Sequence, residues 1–247
     1  MLKTELKGRL GNQMFQYAIL RIMADKINTS YSFDKNWLGK NIFDIEYGSN
    51  ELFKKINTFD EGKNAFNKNV FDIKDNTLLR GYWQSPKYFE GYDDFVKDLF
   101  KIKESSLPKN LPEMDDNTCI IHFRGGDYLS HNYVPKKEWY EKARKEALSF
   151  NPNMKFLVIT DDPITAKIYL PNDKIVSSTL INDFTLLLNA KNKIISSSTF
   201  SWWAYWLSEN ESIITIAPDN WLNHNGVKKV EGFYPFDIKT EGIKYIK

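Results

Sequence analysis

Residues 122–128 combine an arginine, two glycines and an aspartate directly after a predicted strand. The guanidinium of Arg124 is always charged, and its planar N–H donors match the oxygens of a phosphate group. Gly125 and Gly126 allow the backbone to approach a ligand closely, and Asp127 could orient Arg124. The segment predicts a phosphate site. The alternative is a turn in which Arg124 and Asp127 only form a salt bridge.

A second segment places small hydroxyl residues between an apolar strand and a predicted helix. Backbone N–H groups at a helix start, together with hydroxyl donors, form an anion site. The alternative is that one hydroxyl only caps the helix. We expect the three tryptophans of this helix to pack in the core rather than to form a sugar platform. In order, the residues of the segment are Ser196, Ser197, Ser198, Thr199, Phe200, Ser201, Trp202, Trp203 and Trp206.

A third segment, residues 8–16, has the pattern of a strand, a glycine turn and a helix. It lacks the G-x-G-x-x-G spacing, so it is not a dinucleotide fingerprint. Its polar side chains Arg9, Asn12 and Gln13 are candidates for a ligand near the helix start. The alternative is a tight turn in which Asn12 caps the helix.

Two carboxylates, Asp161 and Asp162, follow another predicted strand and precede Pro163. A carboxylate at a strand end could accept hydrogen bonds from the N1–H and amino groups of guanine. An N-cap before a proline at the first helical position is the alternative.

The sequence contains no Asp-x-Asp pair and no glycine-rich lysine loop, two common ways of holding a nucleotide phosphate with a metal. Its histidines, His122, His131 and His224, are scattered, so we expect no metal centre and no cofactor. The charge of a departing diphosphate would then be met by Arg124 and fixed N–H donors.

Composition limits the protein class. A chain of 247 residues suits one large domain or two small ones, and its 15% aromatic content can build a sizeable core. The net charge of +2 does not call for nucleic acid, and the single cysteine, Cys119, excludes an intrachain disulfide. Because no secretory signal and no apolar stretch of ~20 residues is visible, we expect a cytoplasmic protein, peripheral where it works at a membrane.

Predicted strands alternate with predicted helices from residue 118 onward, which indicates a parallel sheet covered on both faces. Ligands of such sheets bind beyond the carboxyl ends of the strands. The loops after Phe123, Thr160, Ile195 and Ile216 are therefore the ones expected to carry the site. A β-loop-α-β pattern opens the chain, residues 37–76 carry no clear pattern, and a proline-rich stretch near residue 110 predicts a linker.

Four segments together resemble the bacterial α-1,2-fucosyltransferases of glycosyltransferase family 11. They occur in the order of that family and over almost the whole chain. The segments are residues 8–18, 81–89, 122–128 and 198–204.

The resemblance implies an α/β fold of GT-B type, with two Rossmann-like halves whose parallel sheets face each other across a cleft. Residues 1–110 would form the acceptor-side domain and residues 111–247 the domain that binds the GDP-sugar. The reaction implied is inverting transfer of L-fucose from GDP-β-L-fucose to the 2-hydroxyl of a terminal galactose, without a metal. Such a glycan acceptor fits O-antigen or polysaccharide biosynthesis.

The resemblance also implies roles for individual residues. Arg124 would bind the pyrophosphate, with His122 beside the nucleotide and Asp161 or Asp162 at guanine. Ser197, Ser198, Thr199, Phe200 and Ser201 would contact the phosphates. Arg9, Asn12 and Gln13 would reach the cleft from the first half. The catalytic candidates are Arg124, Asp127, as base or brace, and Asn12, which would orient the donor or the acceptor.

One departure from the family concerns Gly125, because many members have a second arginine there. Two rival functions stay open. The first is a transferase that uses another GDP- or dTDP-linked deoxysugar. The second is a non-catalytic protein that binds a sugar nucleotide or a glycan.

Overall fold

The computed structural model describes residues 1–34, 36–54, 57–209, 213–222 and 234–247. The chain divides into two compact units. One is Met1–Ser106 with Val230–Lys239, and the other is Leu107–Lys229 with Thr240–Lys247. The division therefore falls a few residues before the boundary expected after residue 110. A late segment, expected in the second domain, groups instead with the first unit.

The first unit is built on a parallel sheet of four strands in the order β2-β1-β4-β3. Helix α1 is buried on most sides, which explains why apolar residues recur so densely along it. Single 3-10 turns follow several of the loops, at Leu38–Asn41, Lys68–Asp72, Pro86–Tyr88 and Glu104–Ser106. The labelled elements are β1 Leu2–Thr4, α1 Leu10–Lys26, β2 Tyr31–Ser32, β3 Asn57–Asp60, β4 Thr77–Arg80 and α2 Asp93–Leu99.

In the middle of this unit, the sequence pattern predicts the strands and helices poorly. The apolar and aromatic residues from 78 to 83 predict a strand, but β4 ends at Arg80 and Trp83 has a left-handed backbone with φ of +59°. Pro86 predicts the first turn of a helix, but the structure has only one 3-10 turn there. Residues 37–76, where no element was placed, contain β3 and two 3-10 turns.

The second unit is a parallel sheet of six strands in the order β10-β9-β8-β5-β6-β7. The alternation of strands and helices expected here is confirmed. The central strand β5 is almost wholly buried, as is typical of a parallel sheet covered on both faces. Its elements are β5 Thr118–Phe123, α3 Gly126–Ser130, α4 Lys137–Phe150, β6 Lys155–Thr160, α5 Pro163–Tyr169, β7 Lys174–Val176, α6 Leu180–Asn189, β8 Asn192–Ile194, α7 Thr199–Trp206, β9 Ile214–Pro218 and β10 Lys244–Ile246.

Each sheet has a point at which the order of its strands changes direction. In the first unit this point lies between β1 and β4, and in the second between β5 and β8. Open parallel sheets bind ligands at this topological switch point, beyond the carboxyl ends of the strands. The loops after these four strands are therefore the ones to inspect. Within the described ranges, no helix combines the length and apolar character needed to cross a bilayer.

Candidate active site

Arg124 follows β5 directly and lies at the switch point of the second sheet. Its side chain is 18% exposed and is held between two carboxylates. Nη2 lies 2.5 Å from Oδ1 of Asp127, and Nη1 lies 2.5 Å from Oδ2 of Asp161. The backbone N–H of Gly125 also donates to Asp161, at 2.9 Å. The expected salt bridge to Asp127 is present, and a second carboxylate fixes the same guanidinium.

His122 lies near the end of β5, two residues before Arg124, and it is 6% exposed. Its Nδ1 lies 3.0 Å from the hydroxyl of Ser196, and its ring packs against Phe200 with centroids 5.6 Å apart. Burial, together with the charge of Arg124, lowers the pKa of His122 to about 3. The imidazole is therefore neutral near pH 7, and it joins the strand end of β5 to the start of α7.

The start of α7 is the second segment that is expected to bind an anion. Ser198 is the N-cap residue, but its side chain makes no capping hydrogen bond. The alternative in which a hydroxyl caps this helix is therefore not found for Ser198. The hydroxyl of Ser201 donates to the carbonyl of Ser198 at 3.1 Å. Trp202 and Trp203 are fully buried, so the expectation that they pack in the core is confirmed. Trp206 is only partly buried and stacks on Trp202.

Tyr128 joins the two loops, a role that the sequence did not reveal. The guanidinium carbon of Arg124 lies 5.4 Å from the centre of its ring, within range of a cation–π contact. Its hydroxyl donates to the carbonyl of Ser197 at 3.0 Å. The only available signal was its position directly after Asp127.

The two aspartates after β6 have separate roles. Asp162 is the N-cap of α5, accepting from the backbone N–H of Thr165 at 3.1 Å, and this hydrogen bonding lowers its pKa. The capping alternative is therefore correct for Asp162. Asp161 instead pairs with Arg124, as described above.

Asp183, in the first turn of α6, is a further carboxylate that sequence reasoning missed. It is half-buried and accepts from the hydroxyl of Ser178 at 2.7 Å. Burial raises its pKa to about 6, and the negative charge of Asp161 adds to the rise. The cluster around Arg124 therefore carries more negative charge than the motif alone suggested.

Gly125 is required by its neighbours. A Cβ atom built on Gly125 would lie 2.5 Å from the Cβ of Asp162, closer than real Cβ atoms approach. A side chain here is therefore incompatible with the present position of the α5 cap. The close approach of Asp162 is therefore a structural reason for glycine at this position.

In the first unit, the polar residues at the start of α1 separate into different environments. Arg9 is the exposed N-cap residue and makes no side-chain capping bond. Gln13 is buried, donating to the carbonyl of Gly8 at 3.1 Å and accepting from the N–H of Leu38 at 2.9 Å. Both polar ends of Gln13 thus hold the turn.

Asn12 lies inside α1, so the alternative in which it caps the helix is wrong. Its Oδ1 accepts from Nε2 of Gln84 at 2.7 Å. Gln84 in turn accepts from Nδ2 of Asn64 at 3.1 Å. Gln84 comes from the loop after β4 and gave no local signal in the sequence.

The predicted site residues therefore form one group in each unit. The second unit holds His122, Arg124, Asp127, Asp161, Asp162 and the stretch from Ser197 to Ser201. The first unit holds Arg9, Asn12 and Gln13. Among the residues whose placement is described, no group of three or more histidine, cysteine or acidic side chains could hold a metal ion.

Comparison with curated sequences finds relatives along nearly the whole chain. The O-antigen biosynthesis glycosyltransferase WbnK of Escherichia coli is 26% identical, over 91% of this chain and 96% of the relative. An α-1,2-colitosyltransferase of Escherichia coli is 28% identical, over 88% of this chain and 91% of the relative.

Comparison with solved structures supports the fold. FUT1 of Arabidopsis thaliana, solved as a variant in complex with GDP, matches with a TM-score of 0.53 and 12% identity. The match covers 89% of this chain and 70% of that one. POFUT1 in complex with GDP-fucose matches with a TM-score of 0.50 and 9% identity, covering 86% and 94%. The expected α/β fold of GT-B type is confirmed.

The family described as glycosyl transferase family 11 matches residues 1–237. That match covers all four segments on which the resemblance rested and every strand of the two sheets except β10. This chain belongs to glycosyl transferase family 11.

Proposed function

We propose that the chain transfers L-fucose from GDP-β-L-fucose to the 2-hydroxyl of a terminal galactose, with inversion and without a metal ion or cofactor. The glycan acceptor belongs to O-antigen or polysaccharide biosynthesis. One observation carries the proposal. At the switch point of the second sheet, the fixed guanidinium of Arg124 accompanies a helix start whose N-cap hydroxyl makes no capping bond.

The leaving group explains why these parts belong together. As the bond between fucose and the diphosphate breaks, negative charge develops on the phosphate oxygens. Arg124 and the first-turn N–H groups of α7 are oriented before reaction, so they stabilise this charge without rearranging. The acceptor hydroxyl attacks the anomeric carbon from the opposite face, which inverts its configuration. Neutral His122 and the ring of Phe200 lie beside the nucleotide.

The acceptor hydroxyl must lose its proton, and Asp127 is our candidate for the base. One of its oxygens already contacts Arg124 at 2.5 Å, so bracing Arg124 is the competing role. A base and a brace differ in what asparagine can replace. The side-chain oxygen of asparagine can still accept a hydrogen bond from Arg124, but it cannot take a proton from the acceptor. Asp127→Asn should therefore lose most of kcat if Asp127 is the base, and little of it if Asp127 is only a brace.

GDP-colitose is a second candidate donor, because one relative is an α-1,2-colitosyltransferase. Colitose differs from fucose by the missing 3-hydroxyl, and both are deoxysugars of similar size. A hydroxyl that a site hydrogen-bonds discriminates strongly, whereas a merely tolerated hydroxyl does not. The identity of the donor therefore depends on contacts to that hydroxyl.

The test is mass-spectrometric detection of transfer, with GDP-fucose and GDP-colitose each offered to a panel of galactosides. We expect a fucosylated galactoside whose linkage is α-1,2. Arg124→Ala should lose ~100- to 1,000-fold in kcat while keeping the fold, as measured by circular dichroism. Near-normal turnover of Arg124→Ala would contradict the assignment of Arg124. GDP binding without any transfer would indicate a binding protein instead.

A further inference from the structure

A chain of side-chain amides lies at the switch point of the first sheet. Asn12 follows β1, Asn64 follows β3 and Gln84 follows β4. Nδ2 of Asn64 donates to Oε1 of Gln84 at 3.1 Å, and Nε2 of Gln84 donates to Oδ1 of Asn12 at 2.7 Å. Asn64 is 2% exposed and Gln84 7%, so two of these amides are buried. Buried amides are kept where their hydrogen bonds specify a geometry.

The loop that presents Gln84 is held by a buried carboxylate. Oε2 of Glu61 accepts from the backbone N–H groups of Tyr82 and Trp83, each at 2.8 Å. Its Oε1 accepts from the hydroxyl of Tyr88 at 3.1 Å. These bonds hold Trp83 at a φ of +59°, a strained conformation for a bulky side chain. The strain persists because Glu61 and the surrounding core determine this turn.

The amide chain has a direction, and the direction fixes what Asn12 offers to a ligand. Because Oδ1 of Asn12 accepts from Gln84, this hydrogen bond fixes which end of the Asn12 amide is the oxygen and which is the nitrogen donor. Gly8 limits its position from the other side, because a Cβ atom there would overlap with Nδ2 of Asn12. Amide N–H groups donate to the oxygen of a hydroxyl, the main polar group of a neutral sugar.

We infer that Gln84 is a positioning residue for sugar transfer, which fixes the amide of Asn12 so that it donates to a hydroxyl oxygen of the neutral sugar acceptor. The inference rests on the proposed function, because it assumes that Asn12 acts in transfer. Glu61 supports the same geometry one step further back, through the backbone before Gln84. No charged side chain belongs to this amide chain, which suits an uncharged ligand.

The test is a double-mutant cycle with Asn12→Ala, Gln84→Met and the double variant. Transfer from GDP-fucose is followed while the galactoside concentration is varied. We expect Asn12→Ala to lower kcat/KM for the acceptor by ~10- to 100-fold, because it removes one hydrogen bond. We expect Gln84→Met to lower kcat/KM by ~10-fold, because it only weakens that hydrogen bond. The double variant should be no slower than Asn12→Ala, because Gln84 acts only through Asn12.

Two further variants separate positioning from general stability. In Gln84→Glu, the carboxylate can still accept from Asn64 but cannot donate to Asn12, so we expect the same loss as in Gln84→Met. Gln16→Met is the matched control. Gln16 is a buried glutamine on α1, the helix that carries Asn12, and its side chain hydrogen-bonds to the backbone of Lys7. Any loss it causes should multiply with that of Asn12→Ala.

The possible outcomes distinguish the inference from the function on which it rests. If Asn12→Ala transfers normally, the role of Asn12 and this inference fail together, while the Arg124 assignment is unaffected. If Asn12→Ala is impaired but the losses multiply in the double variant, only the positioning role of Gln84 fails. Full activity in Gln84→Glu would also overturn it, because that variant cannot donate to Asn12.

Discussion

The switch points of the two sheets each lie between two paired parallel strands, but their chemistry is opposite. In the second unit, Arg124 is surrounded by Asp127 and Asp161, and all these groups carry charge. In the first unit, the corresponding place holds the neutral amides of Asn12 and Gln84. In both units the switch point brings together loops from strands that are neighbours in the sheet but not consecutive in the chain. The side chains on those loops then determine which kind of ligand each switch point can bind.

The difference matches the charges of the two proposed substrates. A nucleotide diphosphate is an anion, and a guanidinium held in place binds its oxygens without reorganising. A galactose acceptor is neutral, and fixed amides recognise its hydroxyls with no cost of burying a charge. The carboxylates around Arg124 reduce its attraction for an anion. Their contribution is therefore to orientation, since two fixed contacts leave the guanidinium little freedom.

Among the substitutions that test this comparison at a glycine, the largest loss of activity is expected at Gly125. In Gly125→Ala the new Cβ must displace either Asp162 or the loop that carries Arg124. A displacement of ~1 Å in a positioning group can lower turnover ~100-fold, and we expect a loss of that order in kcat/KM for GDP-fucose.

The control variant removes the side chain of Asp162, with which the new Cβ of Gly125→Ala would overlap. Asp162→Gly deletes the Cβ that Gly125→Ala would meet, and a glycine N-cap costs only a few tenths of a kcal/mol compared with aspartate, on the order of 0.3. On that background, Gly125→Ala should be much less harmful. Equal losses on both backgrounds would show that the close approach of these residues is not the reason for glycine.

A smaller effect is expected at Gly8, the corresponding close approach in the first unit. Gly8 has a φ of +77°, and a Cβ there would overlap with the amide of Asn12. We expect Gly8→Ala to lower kcat/KM for the galactoside ~10-fold, because one hydrogen bond is weakened. Gly91 is the matched control, since it has a φ of +80° and nothing within 4 Å of such a Cβ. Both variants should lose similar stability on heating, but only Gly8→Ala should lose activity.

The smallest effect is on stability and its pH dependence. Burial raises the pKa of Glu61 from 4.5 to about 7. The folded state therefore binds more protons than the unfolded state between these values, and the stability from this group falls as pH rises through about 7. The shift corresponds to at most about 3 kcal/mol. Glu61→Gln does not titrate, so its stability relative to wild type should increase from pH 5 to pH 8.

Urea unfolding of both proteins at these two pH values measures this difference. Because every other titrating group is common to the two proteins, only Glu61 contributes to the change. A constant difference between pH 5 and pH 8 would contradict the raised pKa of Glu61.

The sequence predicted features that depend on nearby residues better than features that depend on distant ones. Strands β5 and β6 and the start of α5 followed from apolar runs and from Pro163, and the structure has them with the expected bounds. The early end of β4 was missed because the N–H groups of residues 82 and 83 bind Glu61, about twenty residues away in the chain. Such a partner leaves no periodic signal.

The candidate site divides in the same way. Arg124, its glycines and the serines at the start of α7 were proposed from short motifs, because the proposed phosphate site is built from consecutive residues. Gln84 and Asp183 were missed, since each matters through a side chain from another loop. The alternative in which Asn12 caps α1 is wrong, because Asn12 lies inside the helix. Its partner lies 72 residues away.

The most direct test of the account is calorimetric titration of GDP into the wild type, Arg124→Ala and Gln84→Met. GDP carries the diphosphate but no sugar, so it reports on the charged switch point alone. We predict that Arg124→Ala weakens GDP binding by ~10- to 100-fold, the value of a hydrogen bond to a charged group, whereas Gln84→Met binds GDP as the wild type does. Unchanged GDP affinity in Arg124→Ala, or an equal loss in Gln84→Met, would contradict the division between a charged donor site and a neutral acceptor site.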